Sequence, residues 1–281
     1  MKNNSQIIQK FIECPDGQEI YYWGIAPKRA KGTVVLVHGL GEHSGRYRDF
    51  AEFLVSKGWE VRLYDQRGHG KTPGIRSYVE HFQDLVDDLG KVIQTAREDT
   101  GKKPFLLAHS FGGQVAINYL AGHGKEVQGA ILSSPNIQLA MKVFWLKRFF
   151  GKYLSKVLPS VSIPNDVNPK LISHDPKVVE EYQRDPLVQS RITLRLGDEL
   201  LENLDKVPAM ARQMKLPILI FHGSADGITS VEGSKKFFQN VPSKDKSLKI
   251  YPDFFHETLN EIGRKEVYQD VLDWLNAHHE S

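Results

Sequence analysis

The stretch PFLLAHSFGGQVAINYLAGHG, residues 104–124, decides how the rest of the chain is read. Phe105 to Ala108 is a short unbroken apolar run, which reads as a buried strand. Two polar residues, His109 and Ser110, end it. Phe111, Gly112 and Gly113 follow, and then an apolar-periodic helix begins. A strand that turns this sharply into a helix forces one residue into a sparsely populated backbone region and projects its side chain out of the sheet. Helix and strand approach closely there, so small neighbours are needed, and Gly112 and Gly113 meet that need. Ala108 stands where the commoner form of the pattern has glycine, a change of one methyl. Taken alone, the stretch leaves two readings of Ser110: an exposed nucleophile, or a serine that caps a helix.

Outward from that turn, the chain alternates short apolar runs with amphipathic segments. Residues 7–26 read as two strands around a PDGQ turn. TVVLVHG (33–39), WEVRLYD (59–65), QGAILSSP (128–135), PILIFHG (217–223) and LKIYP (248–252) read as further strands. Helices are expected over 46–57, 80–97, 112–121, 231–239 and 263–278. The second of these has apolar spacing at Phe82, Leu85, Val86, Leu89 and Ile93. This alternation predicts an α/β fold with a mostly parallel central sheet covered by helices on both faces. In such sheets functional groups collect at the carboxyl ends of the strands. That rule selects His38-Gly39, Asp65, Ser110, Ser133-Ser134, His222-Gly223 and the loop after Tyr251.

Residues 136–205 break the alternation. They show no convincing strand and open with IQLAMKVFWLKRFFGKYLSKVL, rich in large apolar residues and in Lys and Arg. The expected organisation is a core of residues 1–135 and 206–281 with an inserted helical cap at 136–205. On a helical wheel Lys142, Arg148, Lys152 and Lys156 share roughly a third of the circumference. Lys147 lies outside it, and Met141, Val143, Phe144, Leu146, Phe149, Tyr153 and Leu154 fill the remainder. Two readings stay open for this helix: a core-packed cap with a solvated basic edge, or a roof over an acyl pocket that also docks on anionic lipid.

A serine hydroxyl is a weak nucleophile at neutral pH and needs a base that is itself oriented by a carboxylate. On this architecture the expected chain order is Ser, Asp or Glu, His. Asp226 follows the strand 217–223, and His256 follows the next strand, so Ser110, Asp226 and His256 form the candidate triad. Asp198 and Asp205 are rival acids within the cap region, and His278 and His279 read as solvated tail. Acyl transfer also needs donors for an oxyanion. The candidates are the backbone N–H groups of Phe111, next to the nucleophile, and of Leu40, in the loop after TVVLVHG. His38 reads as a loop brace. The glycines of GLGEHSG lack both the dinucleotide spacing and the Gly-Lys-Ser/Thr ending of phosphate loops, and no His, Cys, Asp or Glu cluster has zinc-ligand spacing.

Bulk properties narrow the classes further. The chain has 281 residues, 40% hydrophobic and 25% charged, with a net charge of +3. That charge is too weak to suggest a nucleic-acid partner. The lone cysteine, Cys14, permits no internal disulfide and reads as a small buried hydrophobe. The N-terminus lacks the apolar region of a signal peptide, and no stretch approaches the ~20 apolar residues of a membrane span. A cytoplasmic location is the expectation, with peripheral lipid contact open.

HGLGEHSGRY (38–47), DQRGHGKT (65–72), AHSFGG (108–113), HGSADGITS (222–230) and FFHETLNE (254–261) occur in that order. Together they resemble the α/β-hydrolase fold, and within it the monoacylglycerol lipase and lysophospholipase-like serine hydrolases, over nearly the whole chain. The resemblance implies Ser110 as nucleophile, Asp226 as orienting acid, His256 as base, and Leu40 and Phe111 as oxyanion donors. It also implies that Glu42 and Arg46 line or brace the polar end of the pocket. The cap stretch EYQRDPLV (181–188) would place Tyr182 near the glycerol end. Asp65, Arg67, Gly68 and Gly70 would be architectural. The implied activity is hydrolysis of a single-chain acyl ester, most simply a monoacylglycerol, without metal or organic cofactor. A lysophospholipase, a general carboxylesterase, an aminopeptidase-like amidase and a non-catalytic binding protein of the same fold stay open, as does the oligomeric state.

Overall fold

The apolar runs form strands whose side chains alternate between two buried faces. The computed structural model describes residues 5–140 and 145–279, with 145–150 described by their backbone alone. The main sheet contains β1 (Gln6–Glu13), β2 (Glu19–Ala26), β3 (Thr33–Val37), β4 (Glu60–Tyr64), β5 (Phe105–His109) and β6 (Ala130–Ser133). Two short strands follow, β7 (Ser162–Pro164) and β8 (Arg191–Thr193), and then β9 (Ile218–Gly223) and β10 (Lys246–Tyr251). The eight-stranded sheet runs in the order β1-β2-β4-β3-β5-β6-β9-β10. β1, β2 and β4 pair antiparallel in turn, and every other neighbouring pair in the sheet is parallel.

The helices are α1 (Arg48–Ser56), α2 (Phe82–Thr100), α3 (Phe111–His123), α4 (Trp145–Val157), α5 (Pro176–Arg184), α6 (Leu194–Leu204), α7 (Val207–Met210), α8 (Val231–Asn240) and α9 (Arg264–His278). Val35 and Val37 of β3 and Leu106 and Ala108 of β5 join the core covered by α2, α3 and α8. Their neighbours Val34, Leu36, Phe105 and Leu107 face the other way, against α1 and α9. Period-two alternation in fully buried strands thus builds two cores, one on each face. Each fully buried Leu or Val side chain contributes about 1.5–3 kcal/mol. Helix α2 starts at a box in which the His81 N–H donates to Asp84 Oδ2 at 2.9 Å, and ends at Gly101 with φ +71°. Cys14 is buried, and that burial pushes its thiol pKa up.

Strand β5 is hydrogen-bonded on both sides, to β3 and to β6. Its carboxyl end therefore opens near the middle of the sheet, between the ends of β3 and β6. This is where the chain must change direction into α3.

The segment 136–205 was expected to hold no strand, yet β7 and β8 pair antiparallel within it. Each has three residues, too few for periodicity to register, and β7 ends on Pro164. Neither joins the large sheet. Helix α6 buries Leu196 and Leu200 in the same core as α2 and α3. Two parts of this segment are tied to loops at the carboxyl ends of the strands. The Gln189 N–H donates to the Gly41 carbonyl at 2.6 Å. Its side chain accepts from the Ser77 hydroxyl at 2.5 Å and donates to the Gly68 carbonyl at 2.9 Å. Gly41 has φ +71°, and a Cβ there would lie 2.5 Å from the Gln189 oxygen, so the contact requires glycine. The second tie runs from Leu171 and Ile172, whose carbonyls accept the N–H groups of His256 and Glu257 at 3.3 and 2.8 Å.

Met141, Lys142, Val143 and Phe144 of the basic-apolar helix lie outside the described residues, as do the side chains of Leu146, Lys147, Arg148 and Phe149. Farther along, Tyr153 is 67% exposed and Val157 62% exposed, with Leu154, Leu158 and Val161 also exposed.

Candidate active site

Ser110 has φ +52° and ψ −117°, a conformation that costs an L-residue free energy and persists only when its surroundings enforce it. The β ladder and the helix both enforce it. The Ser110 N–H donates to the Ser133 carbonyl at 2.9 Å, extending the sheet by one residue. Its own carbonyl accepts from Gln114 in α3 and from the Asn136 N–H. A Cβ at Gly112 would meet the His38 carbonyl oxygen, and the Val37 carbonyl oxygen at 2.7 Å. One at Gly113 would come within 2.8 Å of Pro135 Cβ. Ala108 fits without exposure in the α3-side core.

Three side chains from three loops meet at this turn. His256 Nε2 lies 2.8 Å from Ser110 Oγ, and His256 Nδ1 lies 2.7 Å from Asp226 Oδ2. The carboxylate can only accept, so Nδ1 carries the proton and Nε2 is the acceptor for the serine hydroxyl. Ser110 is 8% exposed and His256 5% exposed.

Asp226 is held on both oxygens. Oδ1 accepts the N–H groups of Ile228 at 2.8 Å and Thr229 at 3.0 Å. Oδ2 takes His256, His222 Nε2 at 2.9 Å and the Thr229 hydroxyl at 2.9 Å. Burial alone would raise the acid's pKa, but the facing His256 and His222 outweigh it and hold it well below the carboxylate range. For His256, burial pulls down and the Asp226 carboxylate pulls up more strongly, leaving the imidazole above its ordinary value. His109 sits 4.7 Å from the His256 ring, and burial with that neighbour pushes it down to about 3. It is therefore neutral at working pH.

The loop after β3 is fixed through its peptide groups. The Gly39 N–H donates to Glu42 Oε1 at 2.6 Å. The Gln66 N–H donates to His38 Nε2 at 2.9 Å, so the proton of that ring sits on Nδ1 and is given to the Gly39 carbonyl at 2.8 Å. Burial lowers the His38 pKa. A trans peptide directs its N–H opposite to its carbonyl, so this bond also sets the direction of the Leu40 N–H. A Cβ on Gly39 would lie 3.3 Å from Ser110 Cβ, which places the loop against the serine. Among the described residues, neither the Leu40 nor the Phe111 N–H donates to a protein acceptor.

Glu42, Arg46 and Tyr182 form one cluster. Arg46 Nη1 donates to Glu42 Oε2 at 2.5 Å and to Glu257 Oε1 at 2.6 Å, and Nη2 donates to Glu257 Oε2 at 2.7 Å. The Tyr47 hydroxyl completes Glu42 at 2.6 Å, and the Tyr182 ring stacks 4.7 Å from the guanidinium. These polar groups are engaged with one another. Asp198 accepts from the Ser155 hydroxyl at 2.7 Å in the cap, and His278 pairs with Asp245 near the C-terminal helix end.

Sequence reasoning selected His222 only as a strand-end residue and gave no role to Thr229, Glu257 or Glu261. His222 and Asp226 stand four apart across a strand end, which was a usable signal. The two glutamates stand in the stretch FFHETLNE, and both are buried. Among the described residues, no group of three or more His, Cys, Asp or Glu side chains could hold a metal ion.

Comparison with known proteins identifies the family and the fold. A family model described as serine aminopeptidase, S33, matches residues 28–263. An uncharacterised abhydrolase domain-containing protein of Dictyostelium discoideum is 36% identical over 256 residues, which is 89% of this chain but 27% of that protein's length. The monoacylglycerol lipase of Mycolicibacterium smegmatis is 32% identical over 250 residues, 88% of this chain and 89% of that one. The crystal structure of the monoacylglycerol lipase of Paleococcus ferrophilus matches with a TM-score of 0.84 and 35% identity, covering 92% of this chain and 99% of that one.

Proposed function

The chain belongs to the serine aminopeptidase S33 family of α/β-hydrolases, and from that premise we propose that it hydrolyses monoacylglycerol to a fatty acid and glycerol through an acyl-enzyme on Ser110. His256 takes the Ser110 proton as Oγ attacks the ester carbonyl. Asp226 holds the imidazole in one tautomer and stabilises its cation. The Leu40 and Phe111 N–H groups receive the oxyanion of the tetrahedral intermediate. His256 then protonates the departing alcohol. Water repeats the sequence on the acyl-enzyme, with His256 again as base, and the fatty acid is released.

The observation that carries this reading is the unbroken path from Ser110 Oγ through His256 to Asp226, at 2.8 and 2.7 Å. The test is Ser110→Ala, which should abolish turnover of a short p-nitrophenyl ester while circular dichroism stays unchanged. Retained turnover would remove Ser110 from the chemistry. A panel of monoacylglycerols, diacylglycerols, lysophospholipids and aminoacyl amides at matched concentration then separates lipase from phospholipase and amidase. A preference for the amides would overturn the substrate assignment.

Residues 136–205 act in this reading as a cap over the acyl site. Its outer surface carries exposed Tyr153, Val157 and Leu158 beside exposed Lys152 and Lys156, a pairing suited to an anionic lipid surface. No helix among the described residues is long and apolar enough to cross a membrane. Co-sedimentation with phosphatidylglycerol-containing liposomes should fall on Lys152→Glu with Lys156→Glu; no dependence on either charge would sink the docking surface.

A further inference from the structure

Glu261 lies five residues beyond the proposed base and is 2% exposed. Its carboxylate is met by polar groups on both oxygens. Oε1 accepts the Phe255 N–H at 2.9 Å and faces His174 Nδ1 at 2.9 Å. Oε2 accepts the His174 N–H at 3.1 Å and the Ile262 N–H at 3.1 Å, and lies 3.4 Å from the Ser173 hydroxyl, whose closer acceptor is the Asn260 carbonyl at 3.0 Å. Phe255 immediately precedes His256, and the Phe255 ring stacks on His174 with centroids 3.6 Å apart. One carboxylate thus joins the peptide before the base, its own loop, and the cap residues Ser173 and His174.

Burying a carboxylate carries a desolvation cost of several kcal/mol, and its hydrogen bonds mostly offset that cost without a net gain. Stability alone is a poor reason for a buried acid here. What the carboxylate supplies is position. Nearby anchors hold the loop before and after this point: Asp253 N–H on Ser224 Oγ at 2.8 Å, and Glu257 N–H on the Ile172 carbonyl at 2.8 Å. The backbone bond of His256 itself, to the Leu171 carbonyl, is long at 3.3 Å. The Phe254–Phe255 peptide lies between these anchors: its carbonyl accepts the Ala225 N–H at 3.0 Å, and Glu261 alone holds its N–H.

We propose that Glu261 is a positioning residue for ester hydrolysis, fixing the Phe255–His256 backbone to cap residues 173–174 so that the imidazole stays in reach of Ser110. This rests on the reading of His256 as the base. A substitution remote from the reacting atoms that misplaces them by about 1 Å can cost about 100-fold in rate. Glutamine is the informative substitution, because the four N–H groups on the carboxylate are donors and its amide NH₂ would face at least one of them.

The experiment measures Glu261→Gln for kcat and KM on monoacylglycerol, for the rate of Ser110 labelling by a fluorophosphonate, and for Tm. The expected result is a fall in kcat of about 10- to 100-fold, KM within about twofold, and a labelling rate reduced by the same factor as kcat. Should Glu261→Gln not fold, Glu261→Asp is measured instead; it keeps the charge but is one methylene too short to reach both loops, and the same losses are expected. Wild-type kcat, a rise in KM alone, or a fall in kcat with unchanged labelling each overturn the proposal. Ser110→Ala run in parallel separates the two failures: if it retains turnover, the Ser110–His256 mechanism on which the proposal rests is wrong; if it is inactive while Glu261→Gln is not, only the positioning role is wrong.

Discussion

Replacing Asp226 by asparagine puts the proposed mechanism to its most specific test. The substitution preserves shape and removes one acceptor. With the amide oxygen at Oδ1, the N–H groups of Ile228 and Thr229 stay satisfied and the NH₂ faces His256 and His222. In the flipped orientation two buried backbone donors face an NH₂. Leaving them unsatisfied costs about 1–3 kcal/mol each, so the flip is disfavoured by roughly 30-fold to 10⁴-fold in population. Histidines can move a proton between ring nitrogens, whereas a backbone N–H cannot. The unflipped orientation therefore wins, and His256 accepts at Nδ1 and carries its proton on Nε2. That nitrogen then faces Ser110 as a donor and cannot take its proton. The expected loss in kcat is about 10⁴-fold, the size seen when a triad acid is so replaced elsewhere. Initial rates on p-nitrophenyl butyrate measure it. Activity within tenfold of wild type would refute the tautomer reasoning.

The same variant has a pH signature whose sign follows from the charges. A base must be neutral to act, and Asp226 favours the imidazolium, so wild-type kcat/KM falls as pH drops through a value above about 6.5, the ordinary histidine pKa. Without the carboxylate charge the imidazole loses its strongest upward pull, and the limb of any residual activity moves to lower pH. An unmoved limb would show that Asp226 does not set it.

Two further substitutions probe the surroundings. His38→Ala frees the Gly39–Leu40 peptide and should lower kcat by about 10- to 100-fold, short of the 10²–10³ lost with a whole oxyanion donor; unchanged kcat at unchanged Tm would show that the loop orients itself. Gly112→Ala drives a methyl into the Val37 and His38 carbonyls, both backbone atoms that cannot yield, and should destabilise by about 1–3 kcal/mol or more. Gly122→Ala, in the same helix but with nothing within 4 Å of the new methyl, should be neutral or stabilising by up to about 1 kcal/mol. Urea midpoints compare the two, and equal values would refute the packing account.

Much of the architecture was legible because it is written in runs. Unbroken apolar strands such as TVVLV and FLLA, each followed by a helix, leave a parallel sheet as the economical solution, and that sheet forms. The meeting of Ser110, Asp226 and His256 follows from the sheet order, which sets β5, β6, β9 and β10 side by side with their carboxyl ends level. Short-range signals failed where structure comes from distant contacts. β7 and β8 exist because 162–164 and 191–193 meet across 26 intervening residues (165–190), and neither reads as a strand alone. Nothing local marks Glu257 and Glu261 as buried, since sequence does not show that Arg46 and Ser173-His174 will close over them.

The hydrogen bonds of Gln189 to Gly41, Ser77 and Gly68 bear on how this scaffold could be re-engineered. A graft that exchanged everything between β6 and β9 for the corresponding part of another hydrolase would take Gln189 away with it. The loop carrying Leu40 would then lose its outside support, whatever fatty chain the new roof was chosen to admit. Chimeras with junctions between β6 and β7 would keep 165–191 native and vary only the portion bearing α4. On this scaffold, the portable part is smaller than the insertion.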